Sequence, residues 1–471
     1  MTISPCRTQT FVDYKYLNQL LLEVQENCHI HKNSKIVSIS LEIGLVDPLL
    51  VLDRFNHKNV ITFYFENTSQ GEAIAGIDTI DKLEIFGKTR FTKAEEFIKN
   101  SLKNIISIPH RNHPSSLPHF FCTFSFFDQH QKADYPFPAA TVFLPCWQIA
   151  VKNNCCTLVM NTIINSTVKI GKILDNLQSH LEAIQTLKNN NFKSEAFPLN
   201  SYNKITKNDN KFKTSVASVL KAIQSNQLRK IVLADTLDVA ANHDFNLLQS
   251  LNNLRQLHPN CYIFSTGNGK GQNFIGASPE RLISIQKQQL ITDALAGSAP
   301  RGKTPIEDAE NANRLINSTK EKHEHKLVLD FITDHLSQLD LFPQVSSPRL
   351  RQLSNIQHLW TPISAVVPTN IHPLQIVAKL HPTPAVAGAT RDVACAEIRR
   401  YESFERGLYA APLGWVDADG NCEFIVGIRS ALIDGNHARL YAGAGIVAGS
   451  DPEKEFAEVQ LKLQALLKAL V

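Results

Sequence analysis

The sequence predicts an α+β protein in which a large, mainly antiparallel sheet core carries helices packed on its outside. Short strand-like runs follow one another closely in the second half of the chain, and helical patterns lie between them. The turn Asp417–Asn421 separates two apolar runs, as expected for neighbouring antiparallel strands. Because 43% of the 471 residues are hydrophobic, the chain can bury a large core.

Composition and charge exclude several classes of protein. The net charge of +4 is small for this length, so we expect neither nucleic acid nor a membrane surface as a partner. The nine cysteines are odd in number and form no CxxC pair, which favours reduced thiols in the cytoplasm. No apolar run is long enough to span a bilayer, and the first residues lack the apolar core of a secretory signal.

The chain divides into two parts at a polar segment. Residues 188–213 are rich in Asn and Lys and are typical of a linker or surface loop. We therefore predict that residues 1–195 build the N-terminal part of the sheet core. Residues 196–471 carry every candidate for chemistry.

Apolar residues at spacings of three and four predict helices, and short runs bounded by turn residues predict strands. The predicted helices are Phe11–Cys28, Ile170–Leu187, Val216–Ile223, Glu307–Leu339, Pro373–Leu380, Cys395–Glu405 and Pro452–Leu470. The predicted strands are Lys35–Leu45, Asn59–Phe65, Phe120–Asp128, Thr141–Leu144, Asn153–Ile164, Lys230–Val239, Cys261–Ser265, Asn273–Gly276, Leu282–Ile285, Leu413–Val416, Glu423–Leu432 and Leu440–Ala444.

The helix predicted at Glu307–Leu339 places two carboxylates near its apolar stripe. Glu324 precedes Leu327 by three residues, and Glu321 lies one turn earlier on the same side. A carboxylate that faces inward needs a cation, a metal or a proton. On this helix alone, a solvated mixture of Lys and Glu is the simpler explanation.

The last helix repeats this arrangement. Glu455, Glu458 and Lys462 share one face beside an apolar stripe. Two helices that each carry a Glu-x-x-Glu pair can together form an all-oxygen site, which suits Mg²⁺. Each pair is weak evidence by itself, because such pairs are common on surfaces.

Three further residues are candidates for a site. Lys230 begins a predicted strand, and Glu280 lies at a turn between two strands. An edge lysine and an exposed turn residue are the simpler explanations of these two. Arg429 is predicted in the middle of a strand between the small residues Gly427 and Ala431, which leave room for an anion.

Several segments of residues 212–471 resemble segments of the chorismate-utilising enzymes, and among them the isochorismate synthases. They follow one another in the same order as in that family. The matching segments are KIVLA at Lys230, FIGASPERL ending in Leu282, LAGSAPRG at Leu295, STKEKHEHKLVLD around Glu324, HPTPAVAG at His381, ERGLYAAPLGW at Glu405, IRSALI at Arg429 and AGAGIVAGSDPEKEFAEVQLK to Lys462. The resemblance implies a large α+β sandwich that forms one compact unit, with a chorismate-binding catalytic region at 196–471.

The resemblance also implies roles for individual residues. Lys230 matches the general base and Glu280 the general acid. Glu324 and Glu458 match the Mg²⁺ ligands, with Glu321 and Glu455 beside them. The positions that line chorismate match Ser298, His358, Tyr409, Arg429, Gly445 and Lys462. The chain departs from the family pattern at Ala387 and Ala411, where glycine is usual, so we expect two extra methyl groups near the pocket wall.

Single residues favour one branch of the family. Aminodeoxychorismate synthases carry a nucleophilic lysine where Ala296 stands, and anthranilate synthases lack the equivalent of Lys230. The PLGW run and the length of the N-terminal half favour isochorismate synthase. Salicylate synthases share the base, the acid and both Glu pairs, so they stay the alternative, together with a relative that binds chorismate without turnover.

The implied activity is Mg²⁺-dependent isomerisation of chorismate to isochorismate, by attack of water at C2 with loss of the C4 hydroxyl. We expect no glutamine amidotransferase subunit, and a monomer or a weak homodimer. The pathway stays open between menaquinone, siderophore and salicylate biosynthesis.

Overall fold

The computed structural model describes residues 12–470, except residues 58, 109–115, 132–133, 188–201, 206–209, 227 and 354–355. Its helices are α1 Tyr14–His31, α2 Pro48–Phe55, α3 Arg90–Leu102, α4 Ile170–Leu187, α5 Asn210–Gln224, α6 Leu247–Leu257, α7 Pro305–Asn317, α8 Thr319–Ser337, α9 Pro373–Leu380, α10 Arg391–Tyr401 and α11 Pro452–Leu470. None of these helices has both the length and the apolar character needed to cross a membrane, within the described part of the chain.

The strands alternate with these helices along the chain. They are β1 Lys35–Ile43, β2 Ile61–Asn67, β3 Glu72–Ile77, β4 Asp81–Ile85, β5 Ile105–Ile108, β6 His119–Phe124, β7 Ala140–Leu144, β8 Trp147–Lys152, β9 Cys155–Ile164, β10 Tyr202–Ile205, β11 Lys230–Ala241, β12 Tyr262–Asn268, β13 Gln272–Ser278, β14 Arg281–Gln286, β15 Gln289–Pro300, β16 Gln344–Val345, β17 Arg349–Gln352, β18 Ile356–Val366, β19 Pro412–Asp417, β20 Cys422–Val426, β21 Ser430–Asp434 and β22 His437–Val447.

The strands form two large sheets. The larger has the order β10-β11-β22-β21-β13-β12-β2-β3-β8-β9-β1-β5, and the smaller has the order β16-β18-β15-β14-β20-β19-β6-β7-β4, with β17 also paired to β18. Among the described strands only β1 and β5 pair in parallel, so the predicted α+β fold with mainly antiparallel sheets is confirmed. The pairs β2–β12 and β6–β19 join strands from both sides of residue 195 within single sheets.

Aromatic side chains fill the layer between the two sheets. Phe63 of β2 stacks on Phe121 of β6 with ring centroids 4.7 Å apart, and both side chains are fully buried. Gly76 of β3 faces the same ring, so that a Cβ at this position would collide with Phe121. The absence of a side chain at Gly76 lets the sheets approach each other, since protein interiors have little free volume.

A partly buried arginine ties the second half of the chain to the first. Arg255 of α6 pairs with Asp47 at 2.7 Å and with Glu66 at 2.8 Å, and its Nη2 donates to the hydroxyl of Tyr64 at 2.7 Å. Asp47 also accepts the Leu49 N–H at the start of α2. One guanidinium thus balances two carboxylates from the N-terminal part.

The helix predicted at Glu307–Leu339 is wrong in extent, because the structure divides it into α7 and α8. Ser318 between them has an extended backbone, with ψ of 119°, and its side chain accepts the N–H of Glu321. A serine that satisfies a free N–H of the first turn is a typical helix cap. The break places Glu321 in the first turn of α8.

Two other predicted elements are also wrong in extent. The strand predicted at Glu423–Leu432 is divided into β20 and β21 around Arg429, whose φ of 50° does not fit an extended strand. The helix predicted at Cys395–Glu405 runs instead from Arg391 to Tyr401, because Glu402 is extended. The sequence analysis predicts no strand at β18. Much of the predicted linker at 188–213 lies outside the described residues, so the division at residue 195 stays a prediction.

We predict that Gly76→Ala lowers the free energy of unfolding by about 1–3 kcal/mol, because the added methyl group would overpack the layer against Phe121. The measurement is the midpoint and slope of urea unfolding. Gly171→Ala in α4 is the control, since a Cβ there meets no atom within 4 Å. Equal stability of the two variants would contradict the close approach of the sheets at Gly76.

Candidate active site

An open pocket of about 860 Å³ lies where β11 and β22 of the larger sheet, β15 and β18 of the smaller sheet, and helices α8 and α11 converge. The structure brings most of the predicted site residues to its wall. These are Glu280, Ser298, Glu321, Glu324, His358, Tyr409, Arg429, Gly445, Glu455, Glu458 and Lys462. Ala387 and Ala411 are fully buried and are not among the lining residues, although Ala387 follows the lining residue Val386, so the expectation of extra methyl groups near the wall stays a prediction.

Lys230, the remaining predicted residue, lies directly behind the wall. It begins β11, its side chain is 0% exposed, and its Nζ lies 2.8 Å from Oε1 of Glu324. The two groups are close enough for an ion pair, but their relative orientation does not make a hydrogen bond. Nζ therefore has no hydrogen-bond acceptor among the described residues. A Cβ at Gly445 would lie 2.5 Å from Glu324 Oε1, so any side chain there would displace the Glu324 carboxylate. Lys230 is therefore not an ordinary edge lysine.

Glu280 lies on the short connection between β13 and β14. Its backbone is fixed on both sides, because its N–H donates to Ser278 Oγ at 3.1 Å and its carbonyl accepts the Val426 N–H at 3.0 Å. Glu280 is buried, so the simpler interpretation of it as an exposed turn residue is excluded. Burial raises the pKa of Glu280 to about 7, with Lys230 opposing and Asp293 adding to the shift. Such a carboxyl group can hold and donate a proton near neutral pH.

Four carboxylates face the pocket from two helices. Glu321 and Glu324 belong to α8, and Glu455 and Glu458 belong to α11. Burial raises the pKa of Glu321, and the nearby Glu324 raises it further. Burial likewise raises the pKa of Glu455, where Lys320 opposes the shift and Glu458 adds to it. The carboxylates are thus close enough to repel one another across the two helices.

Lysine ammonium groups lie beside these carboxylates. Lys462 pairs with Glu458 at 2.7 Å and also donates to the carbonyl of Gly443 at 2.8 Å. Lys320 pairs with Glu455 at 3.2 Å. Lys320 was not predicted, because the sequence pattern alone places it in a solvated mixture of Lys and Glu.

The donor set of this cluster suits a hard divalent cation, since carboxylate oxygens are the ligands that Mg²⁺ prefers. No three His, Cys, Asp or Glu side chains in the described ranges already stand close enough together to hold a metal ion. An ion would therefore draw the carboxylates away from their lysine partners.

The opposite wall of the pocket presents an arginine and a neutral histidine. His358 Nδ1 lies 2.9 Å from Ser298 Oγ, and its Nε2 lies 3.4 Å from Arg429 Nη2. Arginine can only donate, so Nε2 accepts and Nδ1 carries the ring proton. Burial lowers the pKa of His358 well below its ordinary value, and Arg429 lowers it further. Arg429 thus stays available to an anion, although it lies in a turn and not in the middle of a strand.

A β-bulge positions Ser298. The register of β15 against β18 shifts between Ala296 and Ser298, and Gly297 has a φ of 78°. Glycine adopts this conformation without the cost that a side chain imposes. The bulge lets the Ser298 N–H donate to Glu321 Oε2 at 2.9 Å while its hydroxyl contacts His358. One residue therefore links the carboxylate cluster to the histidine.

Arg406 is a supporting residue that the sequence analysis missed. Its side chain is 1% exposed, and it donates to Glu402, to the Val386 carbonyl at 2.8 Å and to the Val232 carbonyl at 2.9 Å. Val232 and Val386 both line the pocket. The segment around Arg406 matched the family. However, the spacing of residues in this segment does not indicate that Arg406 is buried or that it supports the pocket wall.

The fold is that of the chorismate-utilising enzymes. Residues 23–471 match the family described as chorismate binding enzyme, and the chain belongs to this family. The predicted family is thereby confirmed.

Individual relatives point to one branch of it. The chain is 38% identical over 260 residues to a salicylate biosynthesis isochorismate synthase from Pseudomonas aeruginosa, a match that covers 55% of this chain and 54% of the relative. It is 36% identical over 257 residues to isochorismate synthase MenF from Bacillus subtilis, covering 54% of each. These matches span about half the length of the curated relatives. The structure of MenF, the menaquinone-specific isochorismate synthase from Escherichia coli, superposes with a TM-score of 0.76 at 25% identity, covering 96% of this chain and 100% of that one.

Proposed function

We propose that the protein is an isochorismate synthase that converts chorismate to isochorismate. The observation that carries this proposal is a buried lysine and a buried, protonatable glutamate, Lys230 and Glu280, in the same site as four carboxylates and an arginine. The similarity to proteins named isochorismate synthases over more than half of the chain supports it.

The pocket suits the two charges of chorismate, which is a dianion. Arg429 is the available cation for one carboxylate, because guanidinium binds carboxylate through paired hydrogen bonds. We propose that Glu324 and Glu458 would hold Mg²⁺, with Glu321 and Glu455 beside them. When bound there, Mg²⁺ would withdraw charge from the ring carboxylate and orient the ring.

The reaction needs a base and an acid at different positions of the ring. Lys230 takes a proton from water as the oxygen bonds to C2. This role requires the neutral amine, so the ammonium group that pairs with Glu324 must first give up a proton. The ring double bonds shift, the C4–O bond breaks, and Glu280 protonates the departing hydroxyl so that it leaves as water. The atoms lost and gained balance, and product and substrate are isomers.

We also propose the setting in which the enzyme works. Water as the nucleophile needs no ammonia, so no glutamine amidotransferase subunit is required. The eight cysteines in the described ranges are free thiols, which supports a cytoplasmic location. Sheets that mix strands from both sides of residue 195 support one compact unit, which we take to be a monomer or a weak homodimer. The product would serve menaquinone or siderophore biosynthesis.

The central test is product analysis. Purified protein with chorismate and Mg²⁺ should form isochorismate in equilibrium with chorismate, without ammonium, as resolved by chromatography. EDTA should abolish turnover because the carboxylates would lose their ion, and added Mg²⁺ should restore it.

Detection of a different product would establish a different function. Salicylate with an equal amount of pyruvate as the dominant early product would establish a salicylate synthase. Anthranilate formed with ammonium would place the protein in another branch. If chorismate and Mg²⁺ stabilise the protein but chorismate is not consumed, the protein binds chorismate without catalysing its conversion.

We predict that Lys230→Gln loses at least about two orders of magnitude in kcat, because glutamine cannot take the proton of water. Calorimetric binding of chorismate with Mg²⁺ should persist in this variant. Lys322→Gln is the control, since Lys322 is exposed on the same helix as Glu324. Near-native turnover by Lys230→Gln would show that Lys230 is only structural.

The raised pKa of Glu280 predicts a pH dependence. A general acid acts in its protonated form, so kcat/KM should be highest below about pH 7 and fall about tenfold per unit above it. Glu280→Gln should lose roughly 10²–10⁴-fold in rate and should no longer show this fall. Glu310→Gln, at an exposed position of α7, should keep the native profile. An unchanged profile in Glu280→Gln would assign the acid role to another residue.

A further inference from the structure

Three lysines neutralise most of the charge of the carboxylate cluster. Lys230 pairs with Glu324 at 2.8 Å, Lys462 with Glu458 at 2.7 Å, and Lys320 with Glu455 at 3.2 Å. Lys320 also lies 3.6 Å from Glu321. When all of these groups are ionised, four carboxylates and three ammonium groups leave a single net negative charge.

The three lysines differ in how firmly they are held. The side chain of Lys230 is 0% exposed, and that of Lys462 is 17% exposed with a second bond to the Gly443 carbonyl. Lys320 is 34% exposed, and its only ion-pair or hydrogen-bond partners among the described residues are Glu321 and Glu455. Lys320 is therefore the most exposed of the three ammonium groups, and it can turn to solvent once another cation takes its place beside the buried Glu455.

Lys320 also lies between the two helices that carry the cluster. It precedes Glu321 in the first turn of α8 and reaches Glu455 of α11, 135 residues further along the chain. Each of these two glutamates is adjacent, on its own helix, to one of the proposed ligands Glu324 and Glu458. An ammonium group at this point occupies oxygens that a divalent ion would also use.

We propose that Lys320 is an internal counter-ion that holds the two Glu-x-x-Glu pairs together before Mg²⁺ enters, and that it turns out to solvent when the ion binds. The inference rests on the proposed metal site. It assigns Lys320 a role that opposes metal binding: the ion must displace its charge, so Lys320 weakens the affinity for Mg²⁺ and sets the concentration at which the site fills.

The test is calorimetric titration of the full chain with MgCl₂ in the absence of chorismate. Lys320→Met keeps the length of the side chain without its charge, and we expect it to bind Mg²⁺ at least about tenfold more tightly, because repulsion by a cation beside the site is removed. Lys320→Arg keeps the charge and should stay near the native affinity. Lys322→Met removes an exposed charge two residues along α8 and should also leave the affinity unchanged.

A second measurement follows thermal unfolding of the same variants. Without metal, Lys320→Met should melt at a lower temperature than the native protein, because repulsion within the cluster is no longer offset. Added Mg²⁺ should raise its melting temperature by more than that of the native protein, since at a given concentration a ligand that binds only the folded state stabilises it more when it binds more tightly.

The outcomes separate this inference from the proposed function. Unchanged or weaker Mg²⁺ binding by Lys320→Met, beside a native protein that binds Mg²⁺ and forms isochorismate, would overturn the role of Lys320 alone. Absence of Mg²⁺ binding to the native protein, with turnover that resists EDTA, would overturn both the metal site and the counter-ion.

Discussion

The mutual repulsion of four carboxylates in one partly buried pocket is the constraint on which the rest of this structure depends. Removing carboxylates from water is costly unless cations or protons accompany them. Here three lysines supply the cations, and the raised pKa values of Glu321 and Glu455 show that the compensation is incomplete. A site of this kind is poised to accept a cation, because each carboxylate gains from one.

The two sheets are what bring these charges together. Helix α8 packs on β15 of the smaller sheet and α11 on β22 of the larger one, so the cluster forms only where the sheets meet. Local backbone features then make room for it. Gly445 leaves space for the Glu324 carboxylate, and the bulge at Gly297 directs the Ser298 N–H to Glu321. The carboxylate cluster is thus a product of the sandwich and not of either helix.

Sequence patterns predicted several helices whose burial is one-sided, although α3 and α6 were missed. The bounds of α4, α9 and α11 agree with the prediction because each carries a regular apolar stripe. Strand β18, which carries His358, was missed, since its sequence contains Pro362 and several polar residues and its pairing with β15 compensates for them. The position of Arg429 was misjudged because its positive φ arises from the tertiary setting. The roles of the site residues came from a resemblance, whereas the residue patterns alone indicated the two Glu pairs and Arg429 and left simpler explanations for Lys230 and Glu280.

Burial, and not residue type, separates the chemistry of Lys230 and Glu280 from that of surface residues. Lys230 begins a strand and Glu280 lies on a connection fifty positions further along the chain, so no local pattern can report that both are enclosed. In the folded chain Glu280 retains a proton near neutral pH because it is buried, and the nearby cation Lys230 lessens the effect without cancelling it. Lys230 in turn faces a carboxylate that the proposed metal would engage. Lys230, Glu280 and the four carboxylates therefore lie in one low-dielectric pocket, where each charge has a larger effect on the others than it would in water.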